Sequence, residues 1–291
     1  MIGCDRKIPR DDPESQVELS RAGFVRLAEF ITGELGIKMP DCKLTMVQSR
    51  LLRRVRELCL QSVDEYADYF LAAPHGSERE YLINAITTNK TDFFREPDHF
   101  SFLTESVLPA YLAANSGWCN RFRVWSAGCS SGEEPYTLAM VLGEYQNCQP
   151  GFDFAILATD ISTKVLERAR NGIYDESQIS PVPVELRRKY MMSSRSKQEP
   201  LARVVPELRK RVSFHQLNFM AEDYGVQDIF DAVFFRNVMI YFDRETQAAV
   251  IRKICRNLAR GGYLFAGHAE SLAGLDVPVK SVRASIYRKV D

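Results

Sequence analysis

The sequence predicts an α/β fold: a doubly wound, Rossmann-like sheet with a small all-helical domain before it and a small β-containing insertion within it. The main observation is an alternation of strand-like and helical runs that begins near residue 120. Such alternation is typical of right-handed βαβ units, which build a parallel sheet with helices on both faces. Before residue 120 the apolar spacing is helical. A proline-containing stretch after residue 172 interrupts the alternation.

The composition is that of a globular protein, with 45% hydrophobic and 26% charged residues among 291. The 38 basic and 38 acidic side chains cancel, so the charge balance does not indicate a nucleic-acid partner. The seven cysteines are odd in number and lack C-x-x-C spacing, which argues against a disulfide framework and against a zinc site. We therefore expect free thiols and no bound metal.

The sequence carries no pattern of a targeting or membrane segment. No apolar run approaches the ~18 residues of a membrane helix. The first residues, "MIGCDRKIPRDDPESQ", lack the apolar core of a signal peptide. We expect a cytoplasmic monomer that is not inserted in a membrane.

The first part of the chain is predicted as a loose polar tail, residues 1–18, followed by a helical domain, residues 19–85. One helix of this domain carries an apolar stripe with steps of three and four residues. The stripe consists of Leu44, Val47, Leu51, Val55 and Leu58. The stretch "SVDEYADYFLAA" predicts another helix, which Ser62 or Asp64 would cap.

The second domain, residues 86–291, contains the alternating pattern. Its predicted strands are, in order, "FRVWSA", "FAILATD", "DAVFFRNV" and "YLFAG". Its predicted helices are "EEPYTLAMVLGEY", "STKVLERARNG" and "DRETQAAVIRKICRNLARGG". Ser162 would cap the second helix and Gly172 would end it, while Asp243 would open the third and Gly261–Gly262 would close it. The C-terminal "VPVKSVRASIYRKV" would add one antiparallel edge strand.

The insertion covers about residues 173–215 and contains a helical piece with short β-like runs. It is longer than the usual connections in α/β units. We expect it to form a small subdomain with substrate or partner contacts.

The turn from Gly128 to Gly132 lies where an α/β sheet of this kind binds a ligand. We do not expect a nucleophile elbow there. A P-loop requires a lysine after the last glycine, and here Glu133 and Glu134 follow, which would repel a phosphate. A dinucleotide fingerprint requires three glycines, and this turn has two.

S-adenosylmethionine fits such a turn, because it carries a cationic sulfonium and ammonium, two ribose hydroxyls and no phosphate. Asp160 ends the next strand, "ILATD". A carboxylate at this place can accept hydrogen bonds from both ribose hydroxyls. The alternative is a tight strand–helix turn with a capping aspartate.

Five motifs, two of which contain this turn and Asp160, occur in order along the chain. They are "TTNKTDFFREPDHF" (87–100), "VWSAGCSSGEEPYT" (124–137), "ATDIS" (158–162), "FFRNVMIYFD" (234–243) and "GYLFAGHAESL" (262–272). Together they closely resemble the chemotaxis receptor methyltransferases, the CheR family, over about residues 20–290. The combination of N-x-T-x-F-F-R with R-N-V-M-I-Y-F is very specific.

The resemblance implies a class I S-adenosylmethionine-dependent methyltransferase that forms γ-glutamyl methyl esters on chemoreceptors and releases S-adenosylhomocysteine. It places the cofactor contacts at Asn89, Thr91, Arg95, Glu133 or Glu134, Asp160, Asn218, Phe219, Arg236 and Asn237. Within the glutamate pair we favour Glu133, the first residue after the turn. The family's proposed catalytic pair falls on Arg95 and Tyr241.

The implied chemistry needs no general base, because a glutamate with a reference pKa of about 4.3 is ionised at neutral pH. Catalysis is then mostly positioning, which can contribute roughly 7–11 kcal/mol. Arg95 would pair with the cofactor carboxylate or orient the substrate glutamate. Tyr241 would donate a hydrogen bond to the carboxylate of the substrate glutamate. The alternatives are a surface arginine and a packing tyrosine. We expect His268 to be structural and Cys129 to be only a small residue.

One predicted helix is rich in cations: Lys43, Arg50, Arg53, Arg54 and Arg56. They form either a solvated surface or, as the resemblance implies, a basic face that docks the acidic methylation helices of a receptor. Some family members also bind a receptor pentapeptide at the insertion through a glycine-containing hairpin loop. The matching stretch here, "SSRSKQEP" (193–200), has no glycine, so we expect no need for a tethering peptide.

Two alternative functions remain open on the sequence. One is an S-adenosylmethionine-dependent methyltransferase that acts on another signalling protein or a small acid. The other is a non-catalytic, S-adenosylmethionine-responsive receptor adaptor, against which the presence of both Arg95 and Tyr241 argues.

Overall fold

A computed structural model describes residues 18–115, 121–194 and 200–290. The chain divides between Thr88 and Asn89 into two compact units, close to the predicted boundary after residue 85. Within the described ranges, no helix is long and apolar enough to cross a membrane. The predicted tail lies almost wholly outside these ranges.

The first unit is helical. It contains α1 (Arg21–Leu35), α2 (Leu44–Glu57), α3 (Val63–Ala72) and α4 (Gly76–Ile86), with a short 3-10 turn before α2. Ser62 caps α3 by accepting a hydrogen bond from the Glu65 N–H. Asp64, the other predicted cap, instead accepts the N–H of Ser20 at the start of α1.

Helix α2 buries the centre of its predicted apolar stripe, Val47, Leu51 and Val55. Two of its cations hold the unit together. Arg50 donates to the carbonyl oxygen of Ile86 at 2.6 Å, at the C-terminal end of α4, where a cation is favourable. Arg54 pairs with the nearly buried Glu78 at 2.6 Å.

The second unit contains a seven-stranded sheet. Its strands are β1 (Phe122–Ala127), β2 (Phe154–Asp160), β6 (Val212–Gln216), β7 (Phe230–Phe235), β8 (Leu258–Ala266), β9 (Val279–Arg283) and β10 (Ile286–Lys289). The order is β6-β2-β1-β7-β8-β10-β9, and the first five strands are parallel. The strand order reverses between β1 and β7, which is the point where doubly wound sheets bind ligands. The predicted α/β fold is confirmed.

Helices and the insertion surround this sheet. The helices outside the insertion are α5 (Asp98–Phe102), α6 (Leu108–Ala114), α7 (Glu133–Cys148), α8 (Thr163–Asn171) and α11 (Arg244–Arg256). The insertion contributes β3 (Ile173–Asp175), α9 (Val184–Tyr190), β4 (Met191–Ser193), β5 (Leu201–Val204) and α10 (Pro206–Arg209). Ser162 and Gly172 cap α8 at its two ends as predicted.

The insertion forms a separate antiparallel sheet in the order β3-β5-β4. Its predicted end at residue 215 was too late, because β6 pairs in parallel with β2 and belongs to the main sheet. The glycine-free stretch 193–200 falls largely on residues 195–199, outside the described residues. The expectation about a tethering peptide therefore stays a prediction.

Two sequence predictions about the C-terminal part were wrong. Helix α11 ends at Arg256, not at Gly261–Gly262, because β8 begins at Leu258 and includes both glycines. The register of β8 against β7 shifts there, and Gly261 takes a φ of 73° in the irregular segment. The last segment forms two antiparallel strands, β9 and β10, instead of one.

Candidate active site

The turn after β1 brings three parts of the second unit together. Gly128 has a φ of 85°, and its N–H donates to the Thr159 carbonyl oxygen in β2 at 2.8 Å. A Cβ atom on Gly128 would lie 2.5 Å from Val238, just after β7, and 4.0 Å from Phe219, after β6. Only glycine allows this approach, since both the φ and the space exclude a side chain.

Asp160, at the carboxyl end of β2, is held by the same turn. Its Oδ2 accepts the Ser130 N–H at 2.8 Å and its Oδ1 accepts the Ser162 N–H at 3.0 Å. Burial raises the pKa of Asp160, and the N–H groups of Ser162 and Ser130 oppose this effect. Both oxygens keep a lone pair for a further donor.

The letters from Gly128 to Gly132 do satisfy G-x-S-x-G, with Ser130 at the centre. The contacts of Ser130 argue against a nucleophile elbow. Its hydroxyl donates to the Asn89 carbonyl oxygen at 2.8 Å, and none of the hydrogen bonds in the described residues joins it to a histidine. Burial raises the pKa of the Cys129 thiol well above its usual value, as expected for an inert small residue.

The two glutamates that open α7 have different surroundings. The Glu133 carboxylate accepts a hydrogen bond from the Ser131 hydroxyl at 2.7 Å. Glu134 accepts the hydroxyl of Ser126, near the end of β1, at 2.7 Å and lies 3.4 Å from the guanidinium of Arg236. Burial raises the pKa of Glu134, while Arg236 lowers it. Glu134 therefore lies where the strand order reverses.

Arg236, directly after β7, joins several predicted site segments. Its side chain is 2% exposed, and its Nη2 lies 3.0 Å from Glu96. It also donates to the main-chain carbonyl oxygen of Arg95. The guanidinium thus lies between two carboxylates, those of Glu96 and Glu134. Each of the three charges would be costly to bury alone, so the ion pairs stabilise this arrangement of the three side chains.

The loop before α5 is fixed to α7 by one hydroxyl. Thr137 donates to the Glu133 carbonyl oxygen at 2.7 Å and accepts the Phe94 N–H at 3.1 Å. Arg95 is partly exposed and donates to the Lys90 carbonyl oxygen at 3.3 Å. The charge of Arg95 also lowers the pKa of Glu134.

Glu270 organises the segment that contains Asn237 and Tyr241. This buried carboxylate accepts the N–H of Asn237 at 2.7 Å, of Gly267 at 2.7 Å and of Ile240 at 3.2 Å. Tyr241 follows in a short 3-10 turn, half-buried. Among the described residues, the Tyr241 hydroxyl makes no hydrogen bond.

Backbone strain is concentrated around the same place. Among the described residues, positive φ angles at non-glycine positions include Phe94 (54°), Glu96 (55°), Ser130 (49°) and Asn237 (60°). Such conformations cost free energy and persist when surrounding contacts impose them, frequently at functional sites.

The structure thus gathers most of the predicted residues around the carboxyl ends of β1, β2 and β7. Direct contacts connect Asn89, Arg95, Asp160 and Arg236 with the turn or with each other. Phe219 lies at the turn beside Gly128. Thr91 is half-buried in the loop after Asn89, and Asn218 accepts the Met220 N–H at 2.9 Å.

Two acids with clear roles in this site, Glu96 and Glu270, were missed by the sequence analysis. Both lie inside motifs quoted above: Glu96 directly follows "FFR" and Glu270 directly follows "GHA". An acidic residue at each of these places was the signal that could have identified them. The Nε2 atom of His268, a residue that we expected to be structural, lies 3.1 Å from Asp98.

The site offers carboxylates and guanidinium groups without a phosphate cradle. The N–H groups of the turn point at Thr159 and Asp160. Acidic side chains suit a cationic ligand with sugar hydroxyls, and the paired Arg236 keeps the local charge balanced. These donors and acceptors fit S-adenosylmethionine.

Family models match both units. Residues 89–288 match the "CheR methyltransferase, SAM binding domain", and residues 22–87 match the "CheR methyltransferase, all-alpha domain". The predicted combination of a methyltransferase fold with a helical N-terminal part is confirmed.

Curated relatives align over most of the chain. The chemotaxis protein methyltransferase of Escherichia coli is 40% identical over 90% of this chain and 88% of the relative. A chemotaxis protein methyltransferase of Borreliella burgdorferi is 37% identical over 94% of this chain and 96% of the relative. One of Pseudomonas aeruginosa is also 37% identical, over 92% of this chain and 93% of the relative. The chain therefore belongs to the CheR family of S-adenosylmethionine-dependent chemotaxis methyltransferases.

Proposed function

We propose that this protein methylates glutamate side chains of chemoreceptors and so forms glutamyl methyl esters. The observation that carries the proposal is the set of the buried Asp160 and Arg236 with the partly buried Glu134, which lies where the strand order reverses between β1 and β7. The names of the relatives connect this site to chemotaxis. A chemoreceptor is accordingly the proposed substrate.

Asp160 would accept hydrogen bonds from the two ribose hydroxyls of the cofactor, since main-chain N–H groups orient both of its carboxylate oxygens. Asn89 and Thr91 on one side, and Asn218 and Phe219 on the other, would border the nucleoside. The approach of Gly128 to Phe219 supports this arrangement.

For the amino-acid end of the cofactor, the contacts support Glu134 in place of the favoured Glu133. Glu134 lies 3.4 Å from Arg236, and the charge of Arg95 lowers its pKa, whereas Glu133 accepts a hydrogen bond from the Ser131 hydroxyl. A carboxylate together with guanidinium groups suits a zwitterion: Glu134 would face the ammonium, and Arg95 the carboxylate. Arg236 and Asn237 would help to position the amino-acid end of the cofactor. Arg236 is itself held by Glu96, and Asn237 by Glu270.

When bound, S-adenosylmethionine supplies an electrophilic methyl group. The protein has to orient the substrate carboxylate, because that nucleophile is already ionised. Arg95 and Tyr241 are suited to this role, since Arg95 is partly exposed and the Tyr241 hydroxyl is without a hydrogen bond among the described residues. The protein does not have to remove a proton in this step.

Replacing Tyr241 with phenylalanine is expected to lower kcat for receptor methylation about 10- to 100-fold, because a small misplacement of the nucleophile costs that much. The Kd for S-adenosylmethionine should change less than about twofold, since the hydroxyl would contact the substrate. Single-turnover kinetics and calorimetry measure the two quantities. Tyr69→Phe, at an exposed tyrosine of α3, is the matched control. Equal losses in cofactor affinity and rate would reject the role of Tyr241.

Receptor docking would use part of the predicted basic face. Arg50 and Arg54 are engaged inside the helical unit, and Lys43 donates to the Lys38 carbonyl oxygen at 2.8 Å. Arg53 and Arg56 are exposed, although Arg53 also pairs with Glu57 at 2.7 Å. These two, one helical turn apart, are the proposed contacts for an acidic receptor helix.

The double change R53Q/R56Q is expected to raise the KM for a receptor several-fold while the Kd for the cofactor stays unchanged. The reason is the loss of two favourable charges at the encounter. The KM of the unaltered protein should also rise more steeply with ionic strength than that of the variant. K280Q/R283Q, on the exposed strand β9, is the control. A KM for R53Q/R56Q equal to that of the control would contradict this docking face.

The proposed function is tested by incubating the protein with radiolabelled methyl donor and receptor-containing membranes. We expect label on the receptor that mild base releases as methanol, which is the behaviour of a glutamyl methyl ester. Base-stable label would indicate another acceptor atom. Cofactor binding without any transferred label would support the adaptor alternative instead.

A further inference from the structure

A second cluster of polar side chains lies behind Arg236, on the side of Glu96. One carboxylate oxygen of Glu96 and one ring nitrogen from each of His99 and His268 lie within 4.8 Å of one another. The three residues come from the loop before α5, from α5 itself and from the segment after β8. Nothing in the proposed methyl transfer uses either histidine.

His99 is the central observation, because its side chain is 0% exposed and its Nδ1 has no hydrogen-bond partner among the described residues. Its other nitrogen, Nε2, lies 2.8 Å from the hydroxyl of Ser285. That hydroxyl donates its single proton to the Ala284 carbonyl oxygen at 2.7 Å, so it accepts from Nε2. In the neutral ring, Nδ1 then carries a lone pair.

The lone pair of Nδ1 faces another acceptor. Glu96 Oε2 lies 3.6 Å away, too far for a good hydrogen bond. Two acceptors directed at one another in a buried place are unfavourable unless a proton or a metal ion lies between them. The geometry therefore offers a metal ion a buried ring nitrogen together with a carboxylate oxygen that Arg236 also contacts.

His268 completes the set from the solvent side. Its side chain is 49% exposed, and its Nε2 lies 3.1 Å from Asp98. Its ring packs edge-on against His99, with centroids 5.0 Å apart. Each histidine thus has one nitrogen held by an outer partner, Ser285 or Asp98, and one left over. This is the usual surrounding of metal-ligating histidines.

We propose that Glu96, His99 and His268 bind a divalent transition-metal ion, with Zn²⁺ as the best match, and that this ion opposes cofactor binding. Two imidazoles and one carboxylate, with a water as fourth ligand, form a common zinc site. Ligands about 2.0–2.2 Å from the ion lie about 3.3–3.6 Å apart, so the half-exposed His268 has to move inward slightly. The expectation of no bound metal rested on cysteine spacing, which carries no information about ligands that are distant in the chain.

The coupling follows from Glu96. Its Oε2 lies 3.0 Å from Arg236 Nη2, and its Oε1 accepts a hydrogen bond from the main-chain N–H of His268 at 3.1 Å. An ion that takes Oε2 withdraws this carboxylate from Arg236 and adds positive charge beside it. Arg236 holds the Arg95 main chain and Glu134, so the cofactor site loses its arrangement. By linkage, S-adenosylmethionine must weaken metal binding by the same factor.

Metal binding is measured on the full chain, freed of metal with EDTA, by competition with a chromophoric chelator. We expect one Zn²⁺ per chain with a micromolar Kd. His268→Ala should weaken binding tenfold or more and Asp98→Asn by a smaller factor, since outer partners also matter. Both sites are partly exposed, so folding should be preserved. H75A/H215A, which removes the other two histidines, is the control and should bind normally.

Exposed thiols at Cys42, Cys59 and Cys148 are competing zinc ligands. Substituting Co²⁺ distinguishes them, because thiolate ligation adds a charge-transfer absorption that a site of histidines and glutamate lacks. Saturating Zn²⁺ should raise the Kd for S-adenosylmethionine at least fivefold in the unaltered protein and less than twofold in His268→Ala. Zinc binding undiminished in His268→Ala, or cofactor affinity insensitive to zinc, would overturn the proposal. Neither readout depends on receptor methylation.

Discussion

Replacing Arg236 with methionine is expected to lower the free energy of unfolding by about 3–5 kcal/mol and to abolish measurable cofactor binding. The substitution removes the cation between Glu96 and Glu134 and leaves both carboxylates in a poorly solvated place. It also frees the main chain of Arg95. Urea unfolding and calorimetric titration with S-adenosylmethionine measure the two effects.

A rescue experiment separates the lost cation from lost packing. In the triple variant E96Q/E134Q/R236M the uncompensated charges are absent, so at least half of the lost stability should return. Arg283→Met, on the exposed strand β9, should leave the stability within about 0.5 kcal/mol. An Arg236→Met protein as stable as the Arg283→Met control would show that the buried network is not important.

Asp160→Asn is expected to raise the Kd for S-adenosylmethionine about 100-fold or more. Each hydrogen bond to a charged group contributes about 1.5–3 kcal/mol, and the proposal assigns two of them to the ribose hydroxyls. The amide also presents a donor to one of the N–H groups of Ser130 and Ser162, which disturbs the turn. Equilibrium dialysis with labelled cofactor measures this Kd.

Asp175→Asn, at the end of β3 in the insertion, is the matched control for Asp160→Asn. Both aspartates end a strand, but Asp175 is exposed and belongs to the other sheet. Its substitution should change the Kd less than twofold. If Asp160→Asn also changes the Kd less than threefold, the assignment of the ribose to Asp160 is wrong.

The parts of the fold that the sequence predicted well are those with local causes. Strand β2 coincides with "FAILATD", and α8 starts after Ser162 and ends before Gly172, because caps and apolar runs act over a few residues. The end of α11 was missed for a non-local reason. The pairing of Leu258 with Phe230 draws "LARGG" into β8, and no local signal shows this pairing.

The candidate site shows the same division. Gly128, Asp160 and Arg236 lie at or directly after strand ends, so the topology of a parallel sheet brings them together. The other features of the site depend on tertiary contacts that the sequence pattern does not show. The two carboxylates around Arg236, the three N–H groups on Glu270 and the cluster of Glu96 with two histidines join distant parts of the chain. The internal pairing of Arg54 with Glu78 likewise could not be predicted from helix spacing alone.

The most direct test is a crystal structure of this protein with S-adenosylhomocysteine. We predict the ribose hydroxyls within hydrogen-bond distance of the Asp160 carboxylate, and the amino-acid end of the ligand beside Glu134 and Arg95. The sulfur should then face the side of the site where Tyr241 lies. A ligand bound elsewhere, or one whose ribose does not contact Asp160, would contradict the account.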